Sequence, residues 1–378
     1  MNNAFKKLRK ICCFTESLGG GGAEHQMVIL AGMLAEKGYD VSLVTYASLP
    51  DFYETPHGVK RVDIGATRAK GRRLKAFVKL LKCFHYFLWV KTDCVISYRQ
   101  CANLRVLPPM FLRSRKRIRV ICSDRNTSLF VSFRHKLLLN GLYRRADFIV
   151  PNSQTETEFI ARHKPQLKTK LHTIHNYTDL RQFSVSEIPS DLSVIRIAVF
   201  SRYSSQKNPI GLVKAMHELK QKTDHPFEVH WYGDQKGNVE GFNTEYLTLR
   251  ETVEEIGIGD VIVLHPAVKN PALLMNNYHA VCLPSLYEGF SNSIAEGICC
   301  GKPMLVSDVS DNPIMVHEGE NGFLFNPREI NDICDAFLRF FRLSYLDMCQ
   351  MARRSRVIAE SLFDKEHFIE QYINLIEQ

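Results

Sequence analysis

The sequence lacks the marks of several protein classes. Its 378 residues include eleven cysteines, at 12, 13, 83, 94, 101, 122, 282, 299, 300, 334 and 349, yet no two form a C-x-x-C pair. That spacing argues against a zinc ribbon, a dithiol redox centre or a disulfide framework, and suits reduced, mostly buried thiols in a cytoplasmic protein. No long apolar stretch or cleavage signature precedes the strand-like residues 11–14, so nothing marks the chain for export. The most hydrophobic long stretch, 77–90, is interrupted by Lys79, Lys82 and His85 and is too short and polar to span a bilayer. No internal repeat or low-complexity tract is evident apart from the glycines at 19–22.

What remains is an ordinary globular composition, 45% hydrophobic and 24% charged, in a chain long enough for two hydrophobic cores. Short apolar runs at 10–14, 40–45, 94–98, 119–123 and 146–151, then at 196–201, 227–232, 261–264, 280–284 and 303–307, read as parallel strands buried on both faces. Helical patterns alternate with them, for instance at 24–37, 209–221, 247–256 and 293–300. Strand and helix alternating in each half predict an α/β protein of two doubly wound, Rossmann-like domains. Charge divides the same way: residues 1–185 carry 32 Lys+Arg against 13 Asp+Glu, and 186–378 carry 17 against 27. The polar stretch 184–191 separates the halves, which sets the expected domains at 1–185 and 186–360. A closing helix at 361–378 is free to pack back across the junction.

Three constellations carry chemistry. Gly19, Gly20, Gly21 and Gly22 follow the first strand and open a helix, where close backbone approach and unpaired N–H groups favour a phosphate or sugar oxygen; a purely structural turn is the alternative. Their spacing does not match G-x-G-x-x-G, so a nicotinamide-type cofactor is not the natural reading. Ser201-Arg202-Tyr203-Ser204-Ser205-Gln206-Lys207 follows the first strand of the second half, at the carboxyl edge where such sheets bind ligands. Arg202 and Lys207 can put two cations on a diphosphate, although exposed loop cations are often merely solvated. Glu288-Gly289-Phe290-Ser291-Asn292-Ser293-Ile294-Ala295-Glu296 runs from a strand into a helix, so one glutamate can reach a sugar and the other a ribose. Taken alone, an E-x7-E pair also occurs by chance, or as an acid and base for hydrolysis.

Together with Gly301-Lys302-Pro303 and Asn321-Gly322-Phe323, these motifs resemble glycosyltransferase family 4, the retaining nucleotide-sugar transferases of GT-B fold, with the resemblance running from residue 19 to 326. It implies two Rossmann-like domains facing across a cleft. It also implies that Arg202 and Lys207 bind the donor diphosphate, Glu288 contacts the transferred sugar and Glu296 holds the ribose. Backbone amides of Phe290, Ser291 and Asn292 then lie by the sugar and phosphates, and Gly20, Gly21 and Gly22 approach the donor. Neither a metal nor another cofactor is expected, since two cations and a helix start neutralise the leaving group. Where many members carry a histidine near the reaction centre, this chain reads Ser123-Asp124-Arg125-Asn126, similar to an S-[DE]-R-N variant. Asp124 or Arg125 becomes a candidate to orient the acceptor or face the leaving group, with helix capping as the alternative for Asp124.

The implied activity is transfer of a hexose or N-acetylhexosamine, from a UDP- in preference to a GDP-linked donor, to a lipid-linked or surface-polysaccharide acceptor. An epimerase or phosphorylase of the same fold is the near alternative, and a basic membrane- or nucleic-acid-binding protein without catalysis the distant one. Nucleic acid is disfavoured because no zinc, RNP-like or helix-turn-helix signature accompanies the basic half. Instead Leu74, Phe77, Val78, Leu81, Phe84 and Leu88 recur at helical spacing beside Arg72, Lys75, Lys79 and Lys82, and a second basic run spans 113–119. A basic amphipathic helix suits an anionic membrane surface, or packs on the sheet as any helix does. A peripheral place at the inner face of the plasma membrane follows from the first reading.

Overall fold

The computed structural model describes residues 9–19, 21–47, 49–113, 118–125, 133–236 and 243–378 (for Arg72, the backbone). The chain divides into two compact units, one of residues up to Tyr177 together with Lys365–Gln378, the other of Thr178–Asp364.

The first unit runs β1 (Lys10–Thr15), α1 (Gly22–Glu36), β2 (Asp40–Thr45), β3 (Val59–Asp63), α2 (Arg72–Trp89), β4 (Cys94–Tyr98), α3 (Gln100–Met110), β5 (Arg119–Ser123), α4 (Phe133–Asn140), β6 (Phe148–Ile149) and α5 (Gln154–His163). Its parallel strands lie in the order β3-β2-β1-β4-β5-β6. Alternate strand residues Cys12, Phe14, Val95, Val120 and Cys122 point into a core shared with Phe87, Val106, Leu107 and Tyr143, which is why the strands read as unbroken apolar runs.

The second unit runs β7 (Ile195–Phe200), α6 (Pro209–Lys222), β8 (Phe227–Gly233), α7 (Thr244–Ile256), β9 (Ile262–Pro266), β10 (Ala280–Leu283), α8 (Asn292–Cys299), β11 (Met304–Ser307), α9 (Asn312–Met315), β12 (Gly322–Phe325), α10 (Ile330–Phe341) and α11 (Tyr345–Leu362). Its strands are also parallel, ordered β12-β11-β10-β7-β8-β9. Both sheets therefore share one topology, two strand-helix runs wound outward from the middle, which is the doubly wound arrangement the alternation predicts.

Two strands were not foreseen. β3 carries Lys60, Arg61 and Asp63 and sits at a sheet edge, where polar residues are tolerated. β12 is short and opens with Gly322, where a methyl group would collide with the main-chain oxygen of Met304 in the neighbouring strand. The strand expected at 146–151 contracts to Phe148–Ile149.

The boundary also moves. Residues 184–191 are fastened to the second unit: the Ser186 amide donates to the Cys300 carbonyl at 2.8 Å, Ile188 is buried, and the Lys302 ammonium donates to the carbonyls of Glu187 and Tyr278 at 2.6 and 3.0 Å. The division falls instead after Tyr177, whose amide and carbonyl are both bonded to the Gln26 side chain of α1, at 2.9 and 2.6 Å. The last helix, α12 (Lys365–Glu377), belongs to the first unit. Its Tyr372 hydroxyl is hydrogen bonded to that of Tyr98 at 2.8 Å, and Arg119 donates to the carbonyls of Leu375 and Ile376.

Candidate active site

In an open α/β sheet the crevice for a ligand lies where the strand order reverses, beyond the carboxyl ends of the strands. In the second unit that point is between β7 and β10, and the two loops leaving it carry the S-R-x4-K and E-x7-E residues. Buried Tyr203 fixes the first loop, its hydroxyl donating to the carbonyls of Trp231 and His265 at 2.8 Å each. The loop ends at Asn208, which takes left-handed backbone (φ 55°) before Pro209 begins α6. Gln206 stitches the loops together: its carbonyl accepts from the Leu286 amide at 2.8 Å and its side chain donates to the Tyr287 carbonyl at 2.9 Å.

This stitching delivers Lys207 to Glu288. Their side chains form an ion pair and are only 12% and 8% exposed. The Glu288 amide donates to the Ser310 hydroxyl at 3.1 Å, from a residue held at φ 52° in the loop after β11. Phe290 and Ser291 are buried, Ser291 caps α8 without a side-chain bond to its first turn, and the Ser293 hydroxyl donates to the Phe200 carbonyl at 2.6 Å, tying the start of α8 to the end of β7. Glu296 lies one turn into α8, half-buried, and burial raises its carboxyl group to about 7. Arg202 is exposed directly after β7. One carboxyl edge thus brings together Arg202, Lys207, Glu288, Phe290, Ser291, Asn292 and Glu296. Gln206, Tyr203 and Ser310 support the loops and carried no signal in the sequence beyond proximity to the motifs.

The first unit has its own reversal point, between β1 and β4. Gly21 leads into α1 in extended conformation and Gly22 is its first residue, whereas Gly20 lies outside the described residues. A methyl group on Gly21 would run into the carboxylate of Glu24. That carboxylate is buried and ion-paired with Arg99 at 2.8 Å, and Arg99, at the end of β4 with φ 80°, also reaches Glu16 at 3.5 Å. Glu24 closes the G-G-G-G-A-E turn of the sequence, whereas Arg99 lies in no motif.

Asp124 follows β5 and is fully buried. Tyr143 donates to it at 2.5 Å and Asn103 at 3.4 Å, while the His135 ring stands 3.8 Å away and 3.7 Å from Glu156. Burial raises the Asp124 carboxyl pKa and lowers that of the His135 imidazole. The side chain is directed into the interior of its unit, a place that suits holding the chain in shape rather than touching a substrate. Among the described residues, Asp124, His135 and Glu156 are the one group whose ligand atoms could converge on a cation. Arg125 lies over the Tyr98 ring at 3.7 Å and donates to Asn176 and Tyr372. Asn126 and most of the basic run at 113–119 lie outside the described residues.

The sequence profile for glycosyltransferase family 4 matches residues 20–182, and that for glycosyl transferases group 1 matches 182–356. The chain belongs to this family of GT-B glycosyltransferases. An uncharacterised glycosyltransferase of Methanocaldococcus jannaschii is 22% identical over 64% of the chain and 61% of that relative. The N-acetylgalactosamine-N,N'-diacetylbacillosaminyl-diphospho-undecaprenol 4-alpha-N-acetylgalactosaminyltransferase of Campylobacter jejuni is 24% identical over 80% of the chain and 81% of the relative. Among solved structures, Anabaena Alr3699/HepE in complex with UDP and glucose superposes with a TM-score of 0.76 at 19% identity, covering 97% and 98% of the two chains. The transferase is thus an enzyme of two Rossmann-like units.

Proposed function

We propose that this glycosyltransferase moves a hexose or N-acetylhexosamine, with retention, from a UDP-linked donor to a lipid-linked or surface-polysaccharide acceptor. The observation that carries the proposal is the Lys207–Glu288 pair, set at the reversal point of the second sheet beside the start of α8. A nearly buried ammonium and a helix N-terminus suit a diphosphate, and the carboxylate paired with that ammonium is within its own reach of a sugar attached to the same diphosphate. Arg202 adds a second, exposed cation, and Glu296 accepts from the ribose hydroxyls. The UDP bound by the Anabaena neighbour and the diphospho-undecaprenol in the name of the Campylobacter relative support the donor and acceptor classes.

In this reading the bond from the anomeric carbon to the diphosphate oxygen breaks, the acceptor oxygen bonds to that carbon on the same face, and the acceptor proton passes to the departing diphosphate. Lys207, Arg202 and the α8 amides stabilise the charge on the leaving group, with no metal required. Gly21 and Gly22 act as a donor contact, and buried Asp124 acts only through its neighbours. The acceptor class places the enzyme at the inner face of a membrane. Purified protein incubated with UDP-Glc, UDP-Gal, UDP-GlcNAc, UDP-GalNAc and GDP-Man should release nucleotide diphosphate from one UDP-sugar when a polyprenyl-diphosphate-linked glycan is supplied. No acceptor-dependent release from any donor would sink the proposal.

A further inference from the structure

Helix α2 breaks the usual rule for a surface helix, which turns its apolar stripe to the core and its polar face to water. The side of α2 that packs into the first unit is carried by Cys83 and Phe87, both fully buried. At roughly 100° per residue, Leu74 and Leu81 lie about half a turn from Cys83, on the outer side. Leu74, Phe77 and Leu81 are each more than half exposed, and Trp89, in the last turn, is 67% exposed. Of the apolar row read from the sequence, Leu74, Phe77 and Leu81 therefore face outward, and Val78, Phe84 and Leu88 are half-buried.

The cations are arranged to suit a boundary. Arg73 and Lys75 are exposed in the first turn, while Lys79 and Lys82 bend to the carbonyls of Ala47 and Ala66 and leave the apolar row uncovered. Beside the row runs a groove of about 440 Å³ lined by Ile64, Val78, Leu81, Lys82, His85 and Tyr86. Among the described residues no helix is long and apolar enough to cross a membrane.

We infer that α2 lies in the headgroup boundary of an anionic bilayer with Leu74, Phe77, Leu81 and Trp89 inserted among the acyl chains, so that apolar burial holds the enzyme there and the cations only set its preference for anionic lipid. This rests on the membrane-linked acceptor proposed above, but it makes a separate claim about what binds and how. Cationic flanks around an apolar row match an anionic surface over a hydrocarbon interior.

Vesicles of phosphatidylglycerol and phosphatidylcholine test it, with the full-length enzyme. Binding is expected to persist at about 1 M salt, where the screening length falls to about 3 Å. Leu74→Ser, Phe77→Ser and Leu81→Ser should each lower partitioning about tenfold, the scale of one large side chain losing its apolar burial. Arg73→Ser with Lys75→Ser should lower it only at low salt. The chain has two tryptophans and the other, Trp231, is buried, so brominated acyl chains should quench emission in a way that Trp89→Phe abolishes. Binding that vanishes at high salt and ignores the serine variants would overturn insertion, as would no binding at all. Self-association without vesicles, lost in the serine variants, would instead assign the row to a second copy and equally overturn it. Transfer to a detergent-solubilised acceptor needs no membrane: no vesicle binding while that transfer persists refutes the insertion and leaves the transferase reading intact.

Discussion

Lys207 is claimed twice, by Glu288 in the unliganded protein and by the donor diphosphate in the proposed complex, and this makes a two-sided prediction. If both claims hold, Glu288 competes with the nucleotide for the ammonium. Glu288→Gln keeps the shape of the side chain and withdraws the competing charge. An exposed ion pair is worth up to about 1 kcal/mol, and one as enclosed as this (12% and 8% exposed) somewhat more, so about 1–2 kcal/mol should be released to nucleotide binding. UDP should then bind about five- to thirtyfold more tightly by calorimetry. Turnover should move the other way, because the carboxylate proposed to meet the sugar has lost its charge: a loss of about a hundredfold or more is expected, comparable to removing one preorganised electrostatic contact. Lys207→Met should weaken UDP and turnover together. If Glu288→Gln weakens UDP as much as Lys207→Met does, the two residues act on the diphosphate in concert, and the competition inferred from their pairing is wrong.

Other expectations concern groups whose burial sets their behaviour. Glu296 is raised from its ordinary 4.5 to about 7, so as pH climbs through 7 it ionises and becomes a better acceptor for ribose hydroxyls. Affinity for an intact UDP-sugar should rise up to about tenfold per pH unit below 7 and level off above it, and Glu296→Gln should flatten the profile. Lys302 is fully buried against two carbonyls and its ammonium is lowered from 10.5 to about 8. Between those values the folded state binds fewer protons than the unfolded one, so stability should gain about 3 kcal/mol from pH 8 to 10.5 by urea titration, a gain absent in Lys302→Met. Tyr143→Phe removes a buried bond to Asp124 and should cost about 1.5–3 kcal/mol of stability with UDP affinity unchanged; a selective loss of turnover without loss of stability would return Asp124 to the reaction.

The frame of both sheets was legible because buried parallel strands write themselves as apolar runs: residues 40–45, 94–98 and 119–123 were read to the residue. β3 escaped because an edge strand need not be apolar, and β12 because Gly322 and its neighbours look like a turn until the close approach to Met304 is seen. The linker was misplaced for a related reason. Ser186 and Glu187 look solvated in sequence, but their main-chain groups are taken by Cys300 and Lys302, more than a hundred residues away. The places of the motifs were legible because each lies at a strand-to-helix turn: the glycines after β1, S-R-x4-K after β7 and E-x7-E after β10. What could not be read was the wiring: that Lys207 pairs with Glu288, that Gln206 joins the loops, and that Asp124 turns inward to Tyr143.

The same strand order, folded twice, leaves two reversal points with opposite characters. In the first unit, α1 begins beside a carboxylate of its own, since Glu24 stands over Gly21 and is locked there by Arg99, which Glu16 also contacts. An anion approaching that turn meets two acids and one cation, so the glycine run by itself does not make a phosphate cradle, and a neutral hydroxyl is the better guest. In the second unit, α8 begins beside one paired cation and an exposed Arg202, with no cap from the Ser291 side chain. There the proposed diphosphate would exchange places with a carboxylate and meet both cations and the amides at the start of the helix. Topology supplies a crevice in each unit, and it is the residues on the first turn beyond the strands that decide which crevice can take the charge of a nucleotide.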